Sequence, residues 1–204
     1  MSGFSDDGQW WWDGTTWVAT AQVVLPQLPT TEFEKSGRLE LARADRRKGQ
    51  RHFWGFAALL GGLIGLSPVN RQGFRDYRTW TIEQLALATA CALGPDEPML
   101  AGEVSVYDLW DAWARDLGVA VTAAHVLVFR IDSVEGQPRW ITLAGRATDV
   151  KLESRTGLFG WLWPALEVAG RSGRWTIHGF QGEFDPDPVL DAWRKAADGS
   201  VSTR

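Results

Sequence analysis

The spacing of apolar and polar positions divides the chain into three regimes. Residues 4–20 read FSDDGQWWWDGTTWVAT, with strand formers at Trp10–Trp12 and Thr16–Thr20 on either side of the turn signal Asp13-Gly14. The pattern predicts a hairpin connected by Asp13-Gly14-Thr15-Thr16, with Trp12 and Trp17 as cross-strand neighbours. Pro26 and Pro29 mark residues 21–30 as an extended linker. Thr31-Glu32-Phe33-Glu34 has the spacing of a capping box, so a helix is expected to start at Glu32 and run through the basic segment to Arg51.

The second regime is apolar on every face. Phe53 to Val69, FWGFAALLGGLIGLSPV, holds seventeen residues and no Asp, Glu, Lys or Arg. Such a segment is buried in protein or in lipid. As a helix it spans about 25 Å, a little under the hydrocarbon core of about 30 Å. Trp54 on one flank and Tyr77 and Trp80 beyond the other suit interfacial anchors. Asn70 to Arg78 reads as a polar loop. Thr81-Ile82-Glu83-Gln84 offers a second capping box, and Gly94-Pro95 stops a helix apolar enough to pack on a sheet.

The third regime has a short period. Met99–Val106 reads as a strand, and Ser105–Leu117 as an amphipathic helix with Leu109, Trp110, Trp113 and Leu117 on one side and Gly118 as its cap. Strand patterns follow at Val119–Thr122, Val126–Ile131, Trp140–Ala144, Ala147–Glu153, Leu158–Val168 and Trp175–Phe180, separated by turn signals. Asp185-Pro186-Asp187-Pro188 opens a last helix through about Ala197, with Val189, Leu190, Trp193 and Ala196 on its inner face. The fold class expected is α+β: a small antiparallel barrel with a C-terminal helix, preceded by the Trp-rich hairpin and a long helix carrying the apolar segment. The divisions are 1–20, 21–31, 32–52, 53–69, 70–94 and 95–204.

Charge sharpens this picture. The net charge of −4 excludes a dedicated nucleic-acid binder. Residues 1–30 carry Asp6, Asp7 and Asp13 and no base, whereas residues 31–52 carry seven Lys/Arg against four Asp/Glu. A basic block beside an apolar run reads as juxtamembrane, and Arg43, Arg46, Arg47, Lys48 and Arg51 are candidate contacts to anionic lipid. The N-terminal residues have neither a basic n-region nor an early apolar h-region, which places them in the cytoplasm. Cys91 stands alone and reads as a small core residue. His52, His125 and His178 carry no metal-ligand spacing and read as surface or satisfied histidines; Asp185 and Asp187 read as helix N-terminal residues rather than calcium ligands. No phosphate loop or nucleophile elbow is present, so neither a cofactor nor enzymatic chemistry is expected.

Two resemblances extend the reading. Trp10, Trp11, Trp12, Asp13, Gly14 and Trp17 resemble a short bacterial family of unknown function that accompanies the cytoplasmic N-termini of membrane proteins. The upstream Pro-Asp-Pro turn of that family is replaced here by Ser5-Asp6-Asp7-Gly8. Residues Pro95–Glu97, Met99–Glu103, Leu117–Phe129 and Ala147–Glu153, with the closing helix, resemble bacterial pleckstrin-homology-like and GRAM-like domains. That resemblance implies about seven strands capped by a helix, and binding of lipid, peptide or sibling domains. In such a domain Lys151, Arg155, Arg171 and Arg174, read as basic inter-strand loops, would meet phosphate headgroups. Trp10, Trp12 and Trp17 are the candidate partner-binding residues, because Trp is enriched at interfaces. The expected role is a non-enzymatic scaffold or binding protein at the bacterial cytoplasmic membrane, with lipid or protein partners. The alternative is a soluble cytoplasmic interaction module with residues 53–69 as a buried core helix.

Overall fold

A computed structural model describes residues 3–5, 7, 9–20, 23–25, 27–40, 71–105, 117–132, 137–156, 164–179 and 184–201. The basic cluster Arg43–Arg51, the apolar segment 53–69 and most of the expected helix at Ser105–Leu117 lie outside these residues. Among the described residues no helix is long and apolar enough to cross a membrane. The chain divides into two units: residues 1–28 with 82–204, and residues 29–81.

The first unit opens with the expected hairpin, enlarged by one strand. β1 (Gly3–Phe4), β2 (Trp10–Trp12) and β3 (Trp17–Ala19) form an antiparallel sheet in that order. Trp12 pairs with Trp17, and their rings lie 5.5 Å apart, tilted by 54°. Asp13 builds the turn. Its Oδ1 accepts from the Thr15 amide and hydroxyl (2.7 Å each) and the Thr16 amide (2.8 Å), and its Oδ2 accepts from the Thr16 hydroxyl (3.0 Å). Gly14 supplies the positive φ of 107°. Residues 23–25 are extended, as a Pro-rich linker should be, yet they are not loose. Val23 and Leu25 are buried, Val24 bridges to Trp140, and the Leu25 amide donates to the Arg139 carbonyl.

Seven further strands and a helix complete this unit. β4 (Ala101–Val104), β5 (Leu117–Val121), β6 (His125–Ile131) and β7 (Pro138–Arg146) form one antiparallel meander; β8 (Lys151–Thr156), β9 (Pro164–Gly170) and β10 (Gly173–His178) form a second. Side chains of both sheets join one core with Val189, Leu190 and Ala196 of the C-terminal helix Asp187–Ala197. Trp193 ties that helix down: its indole N–H is shared between the carbonyls of Ala147 and Val150, at 3.0 Å each. Buried Glu103 accepts from the Asp185 amide at the helix entry. The α+β class, the antiparallel sheets and the closing helix are as expected, but the described strands form separate sheets and not the closed barrel expected. Leu117 and Gly118, expected at a helix end, lie in β5. Residues 154–156, expected as a loop, lie in β8, because Ser154 and Arg155 pair with Leu166 and Ala165.

β6 is buried along nearly its whole length, so both faces of the four-stranded sheet are covered. Val126 and Val128 face the shared core. On the other side, Leu85 lies against Gly118, where a Cβ would come within 2.9 Å of it. Leu85 belongs to a helix, Arg71–Leu93, within which the division between the units falls. The expected loop at 70–78 is therefore largely helical. Its buried positions run Tyr77, Trp80, Thr81, Gln84, Leu85, Ala88, Thr89 and Ala92, a helical stripe in which polar side chains hide the period. Thr81 is not a cap: its hydroxyl donates to the Tyr77 carbonyl one turn back, as Thr89 does to Leu85. Gln84 is fully buried with neither amide atom hydrogen-bonded, an arrangement costing about 1–3 kcal/mol that packing must offset. Gly94 (φ 93°) ends the helix as expected, and Cys91 is exposed rather than in the core.

The second unit holds α1 (Glu32–Lys35), which precedes α2 (Arg71–Leu93) and α3 (Asp187–Ala197) in the chain. The Thr31–Glu34 capping box forms in both directions. α1 stops at Ser36 and Gly37 (φ 73°) instead of continuing, and residues 38–40 are helical again. Arg38 pairs with Asp76 at 2.7 Å. Tyr77 and Trp80, expected at a membrane interface, are buried and stack 5.7 Å apart.

The two sheets of the first unit meet most tightly at Gly170. A Cβ there would lie 2.2 Å from the carbonyl oxygen of Ala144, a residue bulged out of the β6–β7 ladder. Gly170→Ala is expected to destabilise the fold by about 1–3 kcal/mol in urea denaturation, since backbone must move to admit the methyl. Gly3→Ala, where a Cβ meets nothing within 4 Å, should leave stability unchanged. Asp13→Ala removes the acceptor of the whole hairpin turn. The coupled Trp12–Trp17 signal in circular dichroism is expected to collapse, and its persistence would show that the Trp pair alone sets the register.

Candidate functional site

A pocket of about 310 Å³ opens where the turns of the first unit converge on its N-terminal strand. Gly3, Phe4, Ser5 and Asp7 form one wall. Leu143–Arg146 at the end of β7 and Asp149 form the second. The β9–β10 turn contributes Arg171 and Ser172, and Leu93 with the loop after α2 brings Glu97 against His125. Phe4, Leu93 and Leu143 are the large apolar residues of the lining, beside charged Asp7, Glu97, Arg146, Asp149 and Arg171.

Local hydrogen bonds set each wall. The Ser172 hydroxyl donates to the Leu143 carbonyl at 2.6 Å, holding the β9–β10 turn to β7. The Ala147 amide donates to Ala124 (2.8 Å), joining the β7–β8 turn to the β5–β6 turn. In that turn the Thr122 hydroxyl accepts from the His125 amide at 2.9 Å and hydrogen-bonds Glu97 Oε1. The same Oε1 lies 2.8 Å from His125 Nδ1. Glu97 thus fixes the imidazole and leaves Nε2 as the ring nitrogen available to a ligand.

Burial raises the Glu97 pKa, but hydrogen bonds from His125 and Thr122 and the His125 charge outweigh it, so the carboxyl sits below its ordinary value of 4.5. The Asp7 carboxyl is lowered first by the Ser5 hydroxyl (2.6 Å) and then by the Gln9 amide (3.1 Å), with a further contribution from the Arg171 charge. Asp149 accepts from Thr148 at 3.0 Å. Both pocket hydroxyls are donors to protein oxygens, Ser5 to Asp7 and Ser172 to Leu143. Among the described residues no group of three or more His, Cys, Asp or Glu could hold a metal ion.

The residues expected from the sequence are distributed differently. Lys151, Arg155 and Arg174 stand on strands, on the face of the three-stranded sheet turned away from the core. Two of them converge on buried Glu167 of β9: Arg155 Nε lies 2.6 Å from Oε2 and Arg174 Nε 3.3 Å from Oε1. Lys151 pairs with Glu153 at 2.5 Å, and that bond, ahead of the lysine's charge, lowers the Glu153 pKa. These cations are therefore partnered on a sheet face, not presented from loops. Arg171 alone of the four occupies a turn and enters the pocket. Arg43, Arg46, Arg47, Lys48 and Arg51 lie outside the described residues. Trp10, Trp12 and Trp17 share one face of the hairpin, with Trp10 47% and Trp17 53% exposed, while Trp11 turns inward and is buried.

Glu97, Arg146, Asp149 and Asp7 were not among the expected site residues, and His125 was read as an ordinary histidine. They lie between positions 7 and 149 with no shared motif, so only the strand topology brings them together. No known protein family, curated protein or solved structure matches the chain.

Because the folded-state Glu97 pKa is lowered, its contribution to stability is present above the ordinary value of 4.5 and is lost as pH falls through the folded value. Glu97→Gln is expected to cost about 1 kcal/mol at neutral pH. Urea denaturation across a pH series should show that difference shrinking on acidification. A difference that stays constant into acid would mean the Glu97 charge contributes nothing.

Proposed function

We propose that this chain is a non-enzymatic binding or scaffold protein associated with the bacterial cytoplasmic membrane, its C-terminal part a pleckstrin-homology-like domain. One observation carries the reading: a four-stranded meander, then a three-stranded meander, then a helix, all sharing one core. That order of strands and helix supports the resemblance at residues 95–204. The PH-like domain offers a lipid- or protein-binding surface. The hairpin adds a second surface, on which Trp10, Trp12 and Trp17 form an exposed aromatic face of the kind protein interfaces use. The basic residues Arg43–Arg51 and the uncharged segment 53–69 attach the protein to an anionic membrane, each near-surface base adding about 1 kcal/mol.

A soluble interaction module is the second reading. The burial of Tyr77 and Trp80, which leaves them no interfacial role, favours it. There the segment 53–69 packs inside the protein and the Trp face carries partner binding.

Cell fractionation separates the two. The membrane reading expects the full chain in the membrane fraction at low salt. Replacing Arg43, Arg46, Arg47, Lys48 and Arg51 by Gln should weaken binding to anionic vesicles by several-fold per base. Recovery of the whole chain in the soluble fraction at low salt, as a stable monomer without detergent, would contradict it and support the soluble module.

A further inference from the structure

Trp10, Trp12 and Trp17 share the outer face of the hairpin sheet, and none of them lines the pocket. Their cross-strand neighbours on that face are small: Gly3 lies opposite Trp12 on β1, and Ala19 opposite Trp10 on β3. A Cβ at Gly3 would meet nothing within 4 Å, so the space beside Trp12 on that side is open. Elsewhere the chain covers aromatic rings with its own arginines. Arg130 stands 4.7 Å over the Trp140 ring, and Arg38 stands 5.1 Å over Phe33. Among the described residues no cation stands over Trp10, Trp12 or Trp17. The face of an indole is negative and attracts a cation better than the other aromatic side chains do. The nearby charge has the same sign, because residues 1–30 hold three acids and no base. Arg171 meets part of the Asp7 charge. Asp13, beside Trp12 at the turn that leads to Trp17, has no such cation among the described residues. Hydrogen bonds, first from the Thr16 amide and then from the Thr15 hydroxyl, hold its carboxyl well below the ordinary value, so the charge persists. Its Oδ2 accepts from the Thr16 hydroxyl alone and keeps a lone pair. An anionic membrane, the other setting in which Trp gathers, repels such a segment.

We infer that the Trp face binds an arginine-bearing segment of a partner protein, with guanidinium groups stacked on Trp10, Trp12 and Trp17 and drawn there by the Asp13 charge. This deepens the protein-binding role proposed for the hairpin and rests on it. Arginine suits the face better than lysine. A guanidinium is planar, stacks on a ring and keeps N–H donors in its plane for a carboxylate, whereas an ammonium is compact and more strongly hydrated. The small residues Gly3 and Ala19 leave room beside the rings for the arginine stem. Because Asp13 is exposed, the attraction falls as salt rises.

Peptide binding to the immobilised full chain tests the inference. The probes are a peptide of alternating arginine and glycine, its counterpart with glutamate in place of arginine, and an uncharged proline-rich peptide. Saturable binding of the arginine peptide is expected, weakening with added salt, and the other two should bind far less. Trp10→Leu keeps apolar bulk but removes the ring, and should weaken the arginine peptide by about fivefold. Asp13→Asn keeps an acceptor for the turn but removes the charge. It should weaken binding by about threefold at low salt and flatten the salt dependence. Both variants should retain the Trp12–Trp17 signal in circular dichroism. Equal binding of the glutamate or the proline-rich peptide would overturn the arginine preference while leaving the hairpin a protein-binding face. Undiminished binding of the arginine peptide by the Trp10→Leu/Trp17→Leu double variant would place it elsewhere on the chain and overturn the inference. Failure of all three peptides would overturn both the inference and the hairpin's part in the proposed function. Binding to phosphatidylglycerol vesicles that the same double variant loses would overturn it in favour of a lipid-facing hairpin.

Discussion

The contact between Gly170 and the Ala144 carbonyl is the closure on which the first unit depends. A methyl group cannot be accommodated there without moving backbone. Ala144 reaches that position because it is bulged out of the β6–β7 register. Bulges bend a strand and redirect its neighbours, and here the bend lets β7 meet β9. The Ser172–Leu143 hydrogen bond then holds the adjoining turn in place. Both sheets and α3 close on one apolar core as a result, with Trp193 hydrogen-bonded across to the β7–β8 turn.

The same closure creates the pocket. Leu143 to Arg146 contain the bulge, and Arg171 and Ser172 follow Gly170 directly, so the residues that seal the sheets also set two walls. The Glu97–His125 pair arrives from elsewhere in the chain, held by the Thr122 turn. Charge is partitioned accordingly. On the outer sheet face Arg155 and Arg174 are consumed by Glu167, a structural pairing that covers a nearly buried carboxylate. Around the pocket the carboxylates take donors from nearby hydroxyls and amides, and Arg146 and Arg171 stand among them. A basic residue's position in the sequence does not distinguish these two situations; its strand register does.

Much of the local architecture was legible in the residues. Asp13-Gly14 with flanking Trp specified the hairpin and the Trp12–Trp17 pair. Thr31 and Glu34 specified the cap. The Gly170–Gly173 turn and the inner face of α3 followed from turn chemistry and helical period. The segment 70–78 misled because Arg71, Gln72, Arg75 and Arg78 look like loop residues although they form helices readily, and because Thr81 and Gln84 interrupt the apolar stripe. Ser154–Thr156 misled because a charged strand on an outer face shows little alternation beyond Leu152. The pocket was illegible for a different reason: Asp7, Glu97, His125, Arg146 and Arg171 converge only through long-range pairing and a bulge that no local pattern announces.

The most direct measurement of the closure that brings them together is amide hydrogen exchange of the full chain beside its Gly170→Ala variant. Because the variant must move the Ala144 backbone, exchange is predicted to quicken in β6, β7 and β9 together. Faster exchange confined to β9 and β10, or no change at all, would contradict a closure of the two sheets through that contact.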